Sequence, residues 1–217
     1  MLKNTLILTE GKADITFLRD YLIFLNSDLQ INTNKKKNSN ELLLTFKNQK
    51  IRIKAIGGYT KLIKEKTEIQ RYMDQDYVVL VIQDTDDSTK THGGVNERIK
   101  FLEEVKTQCS VNFEVFLFPN NNSDGDLETL LLEIVNKDKF NPCNNCYLNF
   151  IDSEDALELG YAKELGNNKA IVFNYFRAYH GIEKSKEDMR IYKPDYWDFS
   201  SNYLEILNDF FKKNNVV

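Results

Sequence analysis

The stretch Tyr77–Ser88, YVVLVIQDTDDS, decides the fold. Tyr77 to Ile82 is an unbroken apolar run rich in Val and Ile, with no polar alternation. A strand buried on both faces needs such a run, and strands of that kind sit inside parallel sheets. The run ends abruptly in Asp84, Asp86 and Asp87. Apolar strand and acidic turn together announce a sheet whose strand ends carry chemistry.

Working outward, the chain alternates between two periods. Leu6 to Thr9 is a short strand, and Lys12 to Asn26 carries Ile15, Leu18, Leu22 and Leu25 at helical spacing. Leu42–Phe46 and Ile51–Ile56 flank KNQK and predict a hairpin, closed by Gly57-Gly58. Helical spacing follows at Leu62, Ile63, Ile69 and Tyr72, and again from Asn96 to Val105. Phe113–Phe118, FEVFLF, is another strand, stopped by Pro119, and Leu127–Val135 is an apolar helix. Strands alternating with helices predict an α/β domain with a mostly parallel, four-stranded sheet flanked by helices. Its crossovers should be right-handed. We place this domain at residues 1–136, with residues 137–217 as a helical extension packed on it. Ser27–Asn40, built around NTNKKKNSN, reads as a solvated loop, with a basic nucleic-acid contact as the alternative.

Composition narrows the classes. The chain has 217 residues, 41 % hydrophobic, with a net charge of −4. That supports a proper core and gives no global basic surface for nucleic acid. No apolar run approaches the ~20 residues of a membrane span. The start, MLKNTLILTEGK, is too quickly charged for a secretory signal. Three cysteines make no disulfide framework, so a reducing cytoplasm fits. Cys143 and Cys146 form one CxxC, too few ligands for zinc, which takes about four.

In an open parallel sheet, sites form at the carboxyl ends of the strands. Glu10 falls at the first such end, Asp84, Asp86 and Asp87 at the central one, and Asp124, Asp126 and Glu128 after FEVFLF. Each could serve a turn or a helix cap by itself. Converging together, they repel one another unless cations intervene. Carboxylate oxygens suit Mg²⁺ or Mn²⁺. On extended backbone Asp84 and Asp86 point the same way and can clamp one cation, leaving Asp126 and Glu128 for a second. Two cations ~3.5–4 Å apart would stabilise both attacking and leaving oxygens of an in-line displacement.

The chain resembles the TOPRIM superfamily of topoisomerases, primases and overcoming-lysogenization-defect (OLD) nucleases. The resemblance rests on LILTEGKADITFL (Leu6–Leu18), with its strand ending in Glu-Gly, and on VVLVIQDTDDS (Val78–Ser88), with Asp84 and Asp86 as the Asp-x-Asp pair. FLFPNNNSDGDLETLLLEI (Phe116–Ile134) and the tail are similar to single-domain relatives of the OLD nucleases. The resemblance implies a TOPRIM-like fold and a divalent-metal-dependent nuclease that hydrolyses or nicks nucleic-acid phosphodiester bonds. It implies that Glu10 binds metal or acts as general acid/base, that Gly11 lets backbone approach the site, and that Lys12 touches phosphate unless it is merely solvated. Asp14 then caps the first helix or stands behind the ligands. Lys169 matches the lysine OLD nucleases use beyond their acidic motifs, with an exposed helix start as its alternative. Expected partners are DNA or RNA, a separately encoded ATPase, and a second copy of the chain. A non-catalytic or partner-dependent module binding nucleic acid or phosphate ligands is the competing reading. His92, in KTHGGV, reads as part of a rim near the acidic turn, and Tyr175, Phe176, Tyr179, Tyr196, Trp197 and Phe199 as a small core.

Overall fold

The computed structural model describes residues 2–32, 40–151, 153 and 166–217. Strands are β1 (Thr5–Thr9), β2 (Gln30–Ile31), β3 (Glu41–Phe46), β4 (Gln49–Ala55), β5 (Val78–Asp84) and β6 (Glu114–Phe118). Helices are α1 (Lys12–Leu25), α2 (Lys66–Met73), α3 (Val95–Cys109), α4 (Leu127–Ile134), α5 (Lys137–Ile151), α6 (Asn168–His180), α7 (Ile182–Ser185) and α8 (Glu205–Lys213). The sheet has six strands in the order β2-β3-β4-β1-β5-β6. Its parallel part, β4-β1-β5-β6, has the expected size, and β2 and β3 extend it as an antiparallel edge. The count therefore exceeds the four strands expected. The addition is β3, which pairs with β4 as a hairpin, plus the two-residue β2 inside the segment read as a loop. Residues 33–39 of that loop, including its lysines, lie outside the described residues.

Strand alternation divides the interior into two cores. Ile7, Leu80 and Ile82 face α1, α4 and the C-terminal segment. Leu6, Leu8, Val79 and Val81 face α2 and α3. β1 lies between β4 and β5 with all five residues buried, so its carboxyl end is fixed from both sides. Gly57 and Gly58 close β4 at φ 81° and 118°, a region that favours glycine. A 3₁₀ segment, Tyr59–Glu65, then precedes α2 where one continuous helix was expected.

The C-terminal segment contributes to the first core. Trp197 is fully buried and stacks on Phe176 at 5.0 Å, while Tyr192 and Phe199 meet the ring of Phe17 edge-on. An isolated bridge joins Val135 to Trp197. Of the six aromatic residues expected in a core, Tyr175, Phe176, Trp197 and Phe199 are interior, Tyr196 is half-buried and Tyr179 is exposed. No described helix is long and apolar enough to cross a membrane. Trp197→Ala should cost about 3–5 kcal/mol, read as a lower urea midpoint. An unchanged midpoint would mean that the tail does not support the core.

Candidate functional site

Parallel pairing puts the carboxyl ends of β1, β5 and β6 side by side. Glu10 follows β1 directly. Its Oε2 accepts the Tyr59 N–H at 3.2 Å, and its Oε1 accepts the Asp84 N–H at 3.3 Å. Asp84 closes β5, and its Oδ1 accepts the Leu127 N–H at 3.0 Å at the start of α4. Buried Thr85 locks the loop after β6 against β5, its hydroxyl accepting the Gly125 N–H at 2.7 Å. Sheet register thus brings Glu10, Asp84 and the SDGDLE loop to one place.

Two further carboxylates enter from helices. Asp14 is buried and accepts the Gly11 N–H at 2.8 Å, capping α1. Glu128 is buried in the first turn of α4, 3.6 Å from the Arg190 guanidinium. Burial is the main cause of a raised pKa at Glu10, Asp14, Asp84 and Glu128. Mutual repulsion adds to it: Asp84 feels Asp14, Glu10, Asp126 and Glu128. Asp14 is pushed up to about 7. Burial alone would lower the Lys169 pKa, but Glu128, Asp84, Asp126 and Asp86 outweigh it and raise the value. Lys169, in the first turn of α6, therefore faces the acidic cluster.

The remaining expected residues take varied positions. Asp126 is the N-cap of α4, its Oδ1 accepting the Thr129 N–H at 2.9 Å. Asp124 accepts the Val95 N–H at 3.0 Å and so caps α3. Asp86 does not continue the extended backbone assumed in the sequence reading. It sits at φ 58° because its N–H is drawn to Gly125 O at 2.8 Å. Its oxygens meet Lys90 Nζ and Arg98 Nη2, each at 2.8 Å. Gly11 has φ −133°, extended backbone open to any residue, and its N–H is already taken by Asp14. Lys12 points elsewhere, to Asp188 at 3.9 Å, in a neighbouring depression with Ser185, Lys186 and Arg190. His92 packs against the rings of Tyr59 and Phe101.

A cleft of about 610 Å³ opens onto the cluster, lined by Asp86, Lys90, Asp126, Thr129, Asn168 and Lys169 among others. Carboxylates and two ammonium groups line it together. Asn168 Nδ2 donates to Thr129 Oγ1 at 3.2 Å and so ties α6 to α4 across it. Six carboxylates (Glu10, Asp14, Asp84, Asp86, Asp126, Glu128) meet four cations (Lys90, Arg98, Lys169, Arg190), a formal excess of two acidic groups. The donor set is all oxygen, which fits Mg²⁺ or Mn²⁺. Among the described residues, no three His, Cys, Asp or Glu side chains already converge as a metal cage.

Sequence reasoning did not find Arg98 or Arg190, and gave Asp14 only a supporting role. Arg98 and Asp14 had a legible signal. Each occupies the buried stripe of its helix, Arg98 with Phe101, Leu102 and Val105, and Asp14 with Phe17, Leu18 and Tyr21. A charge on an apolar stripe is costly and calls for a partner. Arg190 lies outside any helix and reaches Glu128 only through the fold of the tail.

The raised pKa values fix a pH dependence. Between 3.8 and about 7 an unfolded chain has released the Asp14 proton that the folded chain retains. Stability of the metal-free protein should therefore fall as pH rises through that window. Asp14→Asn should flatten the fall, measured as urea midpoint against pH. An equally steep profile in the variant would contradict the assignment.

The family model DUF3226, described as "Protein of unknown function", matches residues 4–214. No curated protein matches the chain. Among solved structures, a hypothetical protein, PH0156 from Pyrococcus horikoshii OT3, is similar at 14 % identity and a TM-score of 0.48. The match covers 99 % of this chain and 96 % of that one. By the near-complete span of the family match, this chain belongs to the DUF3226 family.

Proposed function

We propose that the protein is a divalent-metal-dependent nuclease acting in the cytoplasm, hydrolysing or nicking phosphodiester bonds through a TOPRIM-type acidic site. One observation carries the reading: largely buried Glu10 and Asp84 at adjoining strand ends interact electrostatically, directly or through each other, with Asp126 and Lys169, which line an open cleft. Glu10 and Asp84 would hold Mg²⁺ or Mn²⁺, with Asp126, Glu128 and Asp86 available as further oxygen donors. Bound there, such a cation supplies charge neutralisation for the phosphate and an activated water. Where Glu10 is not itself a ligand, its raised pKa suits it to move a proton at the reacting oxygen instead. Lys169 and Lys90 hold the phosphate in the cleft, and Lys169 takes up charge as it develops on the phosphoryl oxygens. An acidic chain can attract nucleic acid this way, because the bound cations invert the local potential.

The second reading is a binding module, partnered by a separately encoded ATPase or by a second copy of the chain. The engagement of both Asp86 oxygens by Lys90 and Arg98 favours it, since that leaves fewer oxygens for a cation.

The test is cleavage of supercoiled plasmid, single-stranded DNA and RNA with Mg²⁺, Mn²⁺ or EDTA. The reading expects metal-dependent cleavage that falls by about 10²-fold or more in Glu10→Gln and Asp84→Asn. Metal-dependent binding of nucleic acid without turnover would select the second reading. Cleavage that persists in EDTA, or in both variants, would exclude the acidic site as its source.

A further inference from the structure

Arg98 is the most confined cation in the molecule's acidic region. It is fully buried, on the α3 face of the sheet, although arginine is seldom buried without a partner. Its Nη2 lies 2.8 Å from Asp86 Oδ2 and its Nη1 3.9 Å from Glu10 Oε1. The guanidinium plane rests on the Tyr59 ring, 3.7 Å from its centroid. Tyr59 in turn donates its N–H to Glu10 and its hydroxyl to Thr91 O. Glu10, Tyr59, Arg98 and Asp86 thus form one closed set.

The hydrogen bonding of Arg98 is incomplete. Guanidinium carries five N–H donors, yet Nε and Nη1 have no hydrogen-bond partner. A buried guanidinium this poorly satisfied is held by opposite charge and by the ring beneath it, not by a full set of hydrogen bonds. The charges holding it belong to Glu10 and Asp86, two carboxylates that the acidic-site reading gives to a divalent cation. A guanidinium and a divalent ion within a few ångströms repel strongly in a poorly solvated site.

We propose that Arg98 is a built-in counter-ion that bridges Glu10 and Asp86 while no divalent cation is bound and competes with that cation for them. The inference rests on the metal-site reading above and adds to it. Arg98 keeps the empty site assembled, and it weakens metal binding, so that loading requires a higher metal concentration than the carboxylates alone would need. Arg98 is a positioning residue in this account, because it acts through the two carboxylates.

The test compares wild type, Arg98→Met and Arg98→Lys, by thermal unfolding in EDTA and in saturating Mn²⁺, and by Mn²⁺ titration followed by electron paramagnetic resonance. Arg98→Met should lose stability in EDTA and regain it with Mn²⁺, and should bind Mn²⁺ about tenfold more tightly or better. Arg98→Lys keeps the charge and should stay near wild type in both measurements. Mn²⁺ bound by Arg98→Met but not by wild type would be the strongest support. Binding by wild type with no gain in Arg98→Met would overturn the counter-ion and leave the metal site standing. So would equal instability of Arg98→Met with and without Mn²⁺, or a lysine variant that behaves like the methionine one. No Mn²⁺ binding by any of the three would overturn both readings together.

Discussion

Glu10, Asp14, Asp84 and Glu128 are held largely out of water at one edge of a parallel sheet, and burial raises all four pKa values. Like charges at this depth repel strongly. Much of the surrounding structure answers that repulsion. Backbone N–H groups of Tyr59, Asp84, Gly11 and Leu127 point at the carboxylate oxygens. Arg98 reaches in from the α3 side and Arg190 from the tail. Lys169 adds a further positive charge from α6, and the carboxylates still outnumber the cations around them.

The tail belongs to the same balance. Arg19 donates to Arg190 O at 2.8 Å, and Asp20 accepts the Tyr192 N–H at 2.7 Å. Thr16 Oγ1 donates to Glu187 O at 3.1 Å. These three contacts from one face of α1 pin the segment that carries Arg190. The aromatic packing of Phe17, Tyr192, Phe176 and Trp197 then secures it. The helical tail therefore does two things: it covers the sheet face opposite α3, and it delivers two cations, Lys169 and Arg190, to the carboxylates.

The central sheet was legible because runs such as YVVLVI and LILT have one physical use, burial between neighbours. β2 was not, since its two residues are exposed and take their register from Leu44 and Thr45 across the hairpin. Glu10 and Asp84 were legible by position, as the residues where buried strands end. The bend at Asp86 was not, because it comes from a bond to Gly125, far along the chain. Closeness in sequence was a poor guide for Lys12, which α1 turns toward Asp188. Asp14, Glu128 and Arg98 share a signal that hydrophobic periodicity alone passes over: a charged side chain on the buried stripe of an amphipathic helix. Such residues need a partner, and in this fold the partners are one another and the strand ends.

The most direct test of the central claim is anomalous diffraction from a crystal of the protein equilibrated with Mn²⁺. The account predicts a peak within bonding distance of carboxylate oxygens from Glu10 and Asp84, facing the cleft that Lys169 lines. No peak there, with Mn²⁺ absent from the crystal or bound only at surface carboxylates, would contradict it.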